Sequence, residues 1–240
     1  MIKENYLGVD VCCADMESVL EEVDNIIKNR VPSFVVAINP EKIMKAEKDE
    51  KLRNLLNSAA IQIPDGIGVV IASKLNGGNI KSRVTGIDLM HNVCKRAAQR
   101  GYKVFMLGAK PGVAEKAAEI LRQKYVGINI VGTRDGYFQS DAEVIDHIKS
   151  AKPDVLFVAM GSPKQEYWIT SNMDKLGVPF LMGVGGSFDV ICGNIKRAPE
   201  WMCRWGLEWL YRLIKEPWRY KRMMVLPLFL LKIVVDRFKK

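Results

Sequence analysis

Val155-Leu-Phe-Val-Ala-Met160, then Gly161-Ser162-Pro163-Lys164-Gln165-Glu166 opening a helical pattern to Met173, then Phe180-Leu-Met-Gly-Val184 and Gly185-Gly186-Ser187-Phe188-Asp189: this stretch decides the fold. A short apolar run, a glycine-bearing turn, a helical pattern and a second apolar run make one strand–helix–strand unit. The same unit recurs upstream, with predicted strands at Phe34–Ile38, Ala60–Ile63, Val104–Leu107 and Ile128–Val131. Predicted helices occupy Met16–Asn29, Pro40–Lys48, Lys51–Asn57, Ile67–Leu75, Ile87–Arg100, Val113–Tyr125, Ala142–Ser150 and Pro163–Met173. Alternation of this kind predicts an α/β fold, a mainly parallel sheet with helices on both faces. In such sheets ligands bind outside the carboxyl ends of the strands.

The residues at those ends are Asn39-Pro40-Glu41, Pro64-Asp65-Gly66, Gly108-Ala109-Lys110-Pro111-Gly112, Gly132-Thr133-Arg134-Asp135-Gly136-Tyr137, Gly161 to Glu166, and Gly183 to Asp189. Five of these turns carry glycine, and several open directly into a helix. There, backbone N–H groups can approach phosphate oxygens, so a diphosphate-bearing ligand is expected. No Gly-x-Gly-x-x-Gly follows the first strand and no Gly-Lys-Ser/Thr occurs, which speaks against a dinucleotide oxidoreductase and an ATPase. No two Asp residues are separated by one residue, and His91 and His147 are the only histidines, both on predicted helices as packing or surface residues; no metal and no cofactor are expected.

Asp65 follows an apolar strand and Pro64 and precedes Gly66 at a helix start, which places a carboxylate at the carboxyl edge of the sheet. It is either a helix N-cap or a general base acting on a hydroxyl. Asn39 before Pro40 is an N-cap or a donor to a sugar hydroxyl, and Arg83 in its polar loop binds phosphate or is solvated.

The chain has 240 residues and a formal charge of +9, of which residues 195–240 carry +8, with twelve Lys/Arg against four acids and four of the five tryptophans. Residues 1–194 are therefore a near-neutral body large enough for one domain, and 195–240 a basic, aromatic appendage. Met223–Val235 is too short to span a bilayer and is interrupted by Pro227 and Lys232. Leu207, Leu210, Tyr211 and Ile214 take helical spacing, and Arg212, Lys215, Arg219 and Arg222 mark a basic stripe broken by Pro217. Amphipathic helices on an anionic membrane surface fit this pattern, with Trp and Tyr at the headgroup level. The alternative is packing on the body or on another subunit, and a homo-oligomer is expected. Nucleic acid is disfavoured as a partner, because the Met223–Val235 run suits acyl chains rather than a phosphate backbone. Five cysteines without Cys-x-x-Cys spacing and an N-terminus without a signal-peptide core predict a reduced, cytoplasmic protein, peripheral on the inner face of the cell membrane.

Taken together, Asn39-Pro40-Glu41, Pro64-Asp65-Gly66, Arg83-Val84-Thr85-Gly86-Ile87-Asp88, Gly132-Thr133 with Asp135-Gly136-Tyr137-Phe138, Gly161 to Glu166, Gly183 to Asp189, Arg197-Ala198-Pro199, Gly206 to Leu213 and Glu216-Pro217-Trp218-Arg219-Tyr220 closely resemble the TagA/WecG/CpsF glycosyltransferases. The resemblance covers nearly the whole chain. It implies a Rossmann-like catalytic domain that transfers N-acetylmannosamine, with inversion, from a UDP-sugar donor to the 4-hydroxyl of a polyprenyl-diphosphate-linked N-acetylglucosamine acceptor. In Gram-positive relatives this builds the linkage unit of wall teichoic acid. Asp65 matches the family's proposed base, Asn39 and Arg83 are assigned with it as catalytic residues, Arg83 and Gln165 match pocket residues, and no bound metal is implied. Substrate binding falls to Gly108, Gly136, Tyr137, Gly161, Lys164, Gln165, Gly185, Gly186 and Asp189, and to Arg212, Arg219 and Arg222 for the diphosphate. The sequence departs from close relatives at Ala37, where they carry threonine. A non-enzymatic lipid or nucleic-acid binder is the alternative that the tail alone allows.

Overall fold

A computed structural model describes residues 1–220 and 224–237, without the side chain of Arg219. All six predicted strands form: β3 (Ser33–Ile38), β4 (Ile61–Pro64), β5 (Lys103–Gly108), β6 (Asn129–Arg134), β7 (Val155–Ala159) and β8 (Phe180–Gly183). They pair in one parallel sheet of order β4-β3-β8-β7-β5-β6. Side chains alternate between its faces with the period of a strand. Val35, Ala37, Val104, Met106, Phe157 and Met182 enter one core, and Val36, Ile38, Phe105, Leu107, Val158 and Leu181 the other.

The first core is covered by α1 (Met16–Asn29), α5 (Gly86–Arg100), α6 (Val113–Lys124) and α9 (Ser187–Ile191). The opposite core is covered by α2 (Pro40–Ala46), α3 (Glu50–Asn57), α4 (Ile67–Leu75), α7 (Asp141–Ala151) and α8 (Lys164–Leu176). Strands β7 and β8 are neighbours, yet β7 leads into α8 on one face and β8 into α9, which packs on α6, on the other. Chains that part in this way leave a crevice at the carboxyl edge.

Two features depart from the sequence reading. An antiparallel hairpin, β1 (Lys3–Tyr6) and β2 (Val9–Cys12), precedes α1. Its two-residue turn is Leu7-Gly8 with φ of 51° and 88°, the pair of positive values that a primed turn requires. The strands are four residues each, too short to give a readable alternation.

The tail forms α10 (Glu200–Arg204), α11 (Glu208–Lys215), a 3-10 turn (Pro217–Arg219) and α12 (Val225–Arg237). Pro217 opens the 3-10 turn and so ends α11, while Pro227 falls in the first turn of α12, where its missing N–H costs nothing. The run read as suited to acyl chains instead packs one side of α12 on α2 and α4. Phe229 and Ile233 are buried in the core, and Phe229 meets Tyr6 of β1 edge to face at 6.5 Å. Lys232 Nζ donates to both carboxylate oxygens of Glu47 at 2.6 Å. Leu228, Leu231 and Val235 on the other side remain exposed, as do Trp201, Trp205, Trp218 and Tyr220. Among the described residues no helix is long and apolar enough to cross a membrane.

Candidate active site

The carboxyl edge is assembled first by backbone. Asp65 N–H donates to Ile38 C=O at 2.8 Å, and Val84 N–H to Pro64 C=O at 2.8 Å, so the ends of β3 and β4 and the Arg83 loop are joined. Asp65 is not an N-cap. Gly66 holds that position, at φ 88°, and no side chain caps α4. The half-buried Asp65 carboxyl is pushed up to about 6, first by burial and then by the charge of Glu208, against the opposing pull of Lys42, Arg212 and Arg83. A carboxylate with that affinity for protons can accept one from a hydroxyl near neutral pH.

Asn39 does cap: its Oδ1 accepts the Lys42 N–H at 3.0 Å, which leaves the amide Nδ2 as a donor at the same edge. Ala37 is buried beneath it, facing α5, where a Cβ on Gly86 would come within 3.7 Å of its own.

The tail closes over this edge. Arg83 Nη2 donates to Cys203 C=O, and its Nη1 lies 3.6 Å from Glu208 Oε2. Arg212 Nη2 lies 3.2 Å from Glu208 Oε1, the i, i+4 pair within α11. Two guanidiniums therefore share one carboxylate next to Asp65. The linker before α10 is fixed to α5, because Arg197 Nη2 contacts both oxygens of Asp88, at 2.7 and 2.8 Å. The side chain of Arg219 and the whole of Arg222 lie outside the described residues.

Gln165 serves another purpose in this arrangement than a free pocket residue. It is 3% exposed, its Oε1 accepts Gly185 N–H at 3.0 Å, and its Nε2 donates to Glu166 Oε1 at 3.2 Å. Lys42 Nζ donates to the same Glu166 oxygen at 2.7 Å, and both members of that ion pair are buried. A Cβ at position 183 would stand 2.4 Å from Gln165 Nε2, so any side chain there would push Gln165 out of this place. Gln165 thus ties the start of α8 to the β8–α9 turn, and Glu166 carries the connection on to α2.

The turns after β5 and β6 form a second group. A Cβ on Gly108, whose φ is 119°, would stand 2.4 Å from Ala159 C=O, and one on Gly136 would stand 3.3 Å from Gly108 Cα. Glycine is required at 108 by this close approach of backbones, and a side chain at 136 would be tightly crowded. Tyr137 is 70% exposed, with its N–H held by Asp135 Oδ1 at 2.8 Å. Gly161 (φ 76°) and exposed Lys164 flank the start of α8, while Gly185 (φ 54°) and Gly186 lead into α9. Asp189 accepts from Asn194 Nδ2 at 3.1 Å.

Both histidines pack. His91 Nδ1 lies 3.1 Å from the Tyr125 hydroxyl and burial lowers its pKa to about 4; His147 stands edge to face on Phe105. Among the described residues no group of three or more His, Cys, Asp or Glu is gathered to hold a metal ion. The sequence reading missed Lys42, Glu166 and Glu208. Glu208 has a local signal in its i, i+4 spacing to Arg212, and Glu166 closes the Gly161–Glu166 motif, where the sequence reading gives it no role of its own.

The sequence profile described as the glycosyl transferase WecG/TagA/CpsF family matches residues 4–240. A Bacillus subtilis (strain 168) protein is 38% identical over 214 residues, covering 89% of this chain and 84% of its own. A Staphylococcus aureus (strain MW2) protein is 36% identical over 240 residues, covering 99% of this chain and 94% of its own. Both are named N-acetylglucosaminyldiphosphoundecaprenol N-acetyl-beta-D-mannosaminyltransferase. With its parallel sheet, an edge carboxylate that caps no helix and a match from end to end, the chain belongs to the WecG/TagA/CpsF family of glycosyltransferases.

Proposed function

We propose that this enzyme transfers N-acetylmannosamine from its UDP donor to the 4-hydroxyl of N-acetylglucosamine on undecaprenyl diphosphate, with inversion, with Asp65 as general base and without a metal. The relatives' names supply the sugar and the lipid acceptor. The observation that carries the chemistry is the Asp65 carboxyl, which caps no helix, is raised to about 6 and lies in the field of Arg83 and Arg212. The acceptor oxygen forms a bond to the anomeric carbon while the bond from that carbon to the β-phosphate oxygen breaks. The electron pair leaves with UDP, and the hydroxyl proton passes to Asp65. A single displacement of this kind inverts the anomeric carbon. Arg83 and Arg212, joined by Arg219 and Arg222, stabilise the charge that develops on the leaving diphosphate. The Gly183–Asp189 turn, held by Gln165, cradles the nucleotide.

The exposed Trp201, Trp205 and Trp218, in a strongly basic segment, support peripheral binding to an anionic bilayer, where the lipid acceptor resides. In Gram-positive organisms the product is the linkage unit of wall teichoic acid. Turnover of a soluble lipid-diphosphate–N-acetylglucosamine analogue with a panel of UDP-sugars tests the reading. UDP-N-acetylmannosamine is expected to react in the presence of chelator, and Asp65→Ala to abolish product; undiminished turnover in that variant would remove Asp65 from the mechanism.

A further inference from the structure

We propose that Glu208 is the counter-ion that an incoming diphosphate displaces from Arg83 and Arg212. The inference rests on the reading that these arginines meet the UDP diphosphate. Glu208 opens α11 with a side chain only 14% exposed, and it divides its two oxygens between the two guanidiniums, 3.2 Å from Arg212 Nη2 and 3.6 Å from Arg83 Nη1. A third nearby cation, Lys42, is held at 2.7 Å by Glu166. A further guanidinium in the field of Glu208, Arg197, is held by Asp88. Among the described residues, Arg83 and Arg212 therefore face Glu208 and Asp65 at rest, and this set carries no excess of positive charge.

A diphosphate needs the donor forks of both arginines. Glu208 stands on those forks, and its charge has the sign of the ligand. Binding is then an exchange of anions rather than an addition. The helix that must yield is suited to it, since α11 buries none of its residues fully. Arg83 also donates to Cys203 C=O, near the end of α10, so the exchange is felt in α10 as well as in α11.

The groups facing Asp65 are Glu208 and Arg212 from α11, Lys42 from α2 and Arg83 from the loop after β4. Neutralising Glu208 removes the repulsive member of that set. Two readouts distinguish Glu208→Gln from wild type: calorimetric titration with UDP, and the pH profile of kcat/KM. UDP is expected to bind about tenfold tighter, the order of one charge–charge contact at a partly screened site, and the acid limb of kcat/KM to move to lower pH. A merely structural role would weaken binding and leave the limb in place. Glu208→Asp, which retracts the carboxylate by one methylene, is expected to tighten UDP about threefold and serves should Glu208→Gln not fold. A wild-type protein that binds UDP while neither variant binds it tighter overturns the counter-ion role alone. A wild-type protein that binds no UDP overturns the diphosphate reading and the proposal with it.

Discussion

Replacing Asp65 with asparagine is expected to make the protein more stable while it stops transfer. The side chain keeps its shape and loses its charge. In the folded protein the carboxyl titrates at about 6 rather than at its ordinary 3.8, a difference of about two pH units. At ~1.4 kcal/mol per unit, ionised Asp65 costs the folded state ~3 kcal/mol at neutral pH. Because the folded pKa is the higher one, this cost is absent below pH 3.8, grows to ~1.6 kcal/mol at pH 5 and is complete above pH 6. Urea denaturation of wild type and Asp65→Asn, repeated at pH 4, 5 and 7.5, measures it directly. The variant should gain only ~0.6 kcal/mol at the lowest pH and up to ~3 kcal/mol at the highest, while product formation falls by at least about a hundredfold. An increment that does not change with pH, or a variant less stable at pH 7.5, would refute the claim that burial and Glu208 strain this carboxylate.

Phe229→Ala should cost roughly 3–5 kcal/mol, since the ring is fully buried between α12 and the body, whereas Leu231→Ala on the exposed side should stay within about 0.5 kcal/mol in the same denaturation assay. Exchanging Trp201, Trp205 and Trp218 together for serine should abolish sedimentation with anionic vesicles and leave both the melting temperature and turnover of a soluble acceptor unchanged; retained vesicle binding would move the membrane contact elsewhere. A truncation at residue 195 is a poorer test of the tail, because it strips Phe229 and Ile233 from the core and unsettles the body along with the membrane contact.

The sheet is legible in the sequence because its inner strands β3, β5, β7 and β8 are buried on both faces and so read as apolar runs, such as Val155–Ala159. The hairpin is not, because Lys3–Tyr6 and Val9–Cys12 alternate over too few residues and Leu7 is an unexpected occupant of a positive φ. Asp65 is legible from its place after a strand. Its separation from the capping role is decided by Gly66, which occupies the cap position without a side-chain cap bond, and no local pattern reveals that choice. Lys42 and Glu166 are 124 residues apart, and their ion pair exists only because α2 and α8 meet on one face of the sheet. The apolar Met223–Val235 run is equally consistent with lipid and with protein as its partner. Only the groove between α2 and α4 assigns Phe229 and Ile233 to protein.

The contact of Phe229 with Tyr6 bears on how the chain comes to be active during its own synthesis. A ribosome delivers the hairpin, α2 and α4 long before α12, so they must wait, with an apolar groove open to solvent, until the chain has emerged past Phe229. Contacts between such distant residues carry the largest loop-closure cost and form late. Once α12 seats, α10 and α11 are tethered to the body at both ends, through Arg197 on α5 and through Phe229 in the core. Closure of the core and placement of Arg212 beside Asp65 thus become a single late event, and a nascent chain that stalls before residue 229 has neither a closed core nor a seated tail over its edge carboxylate.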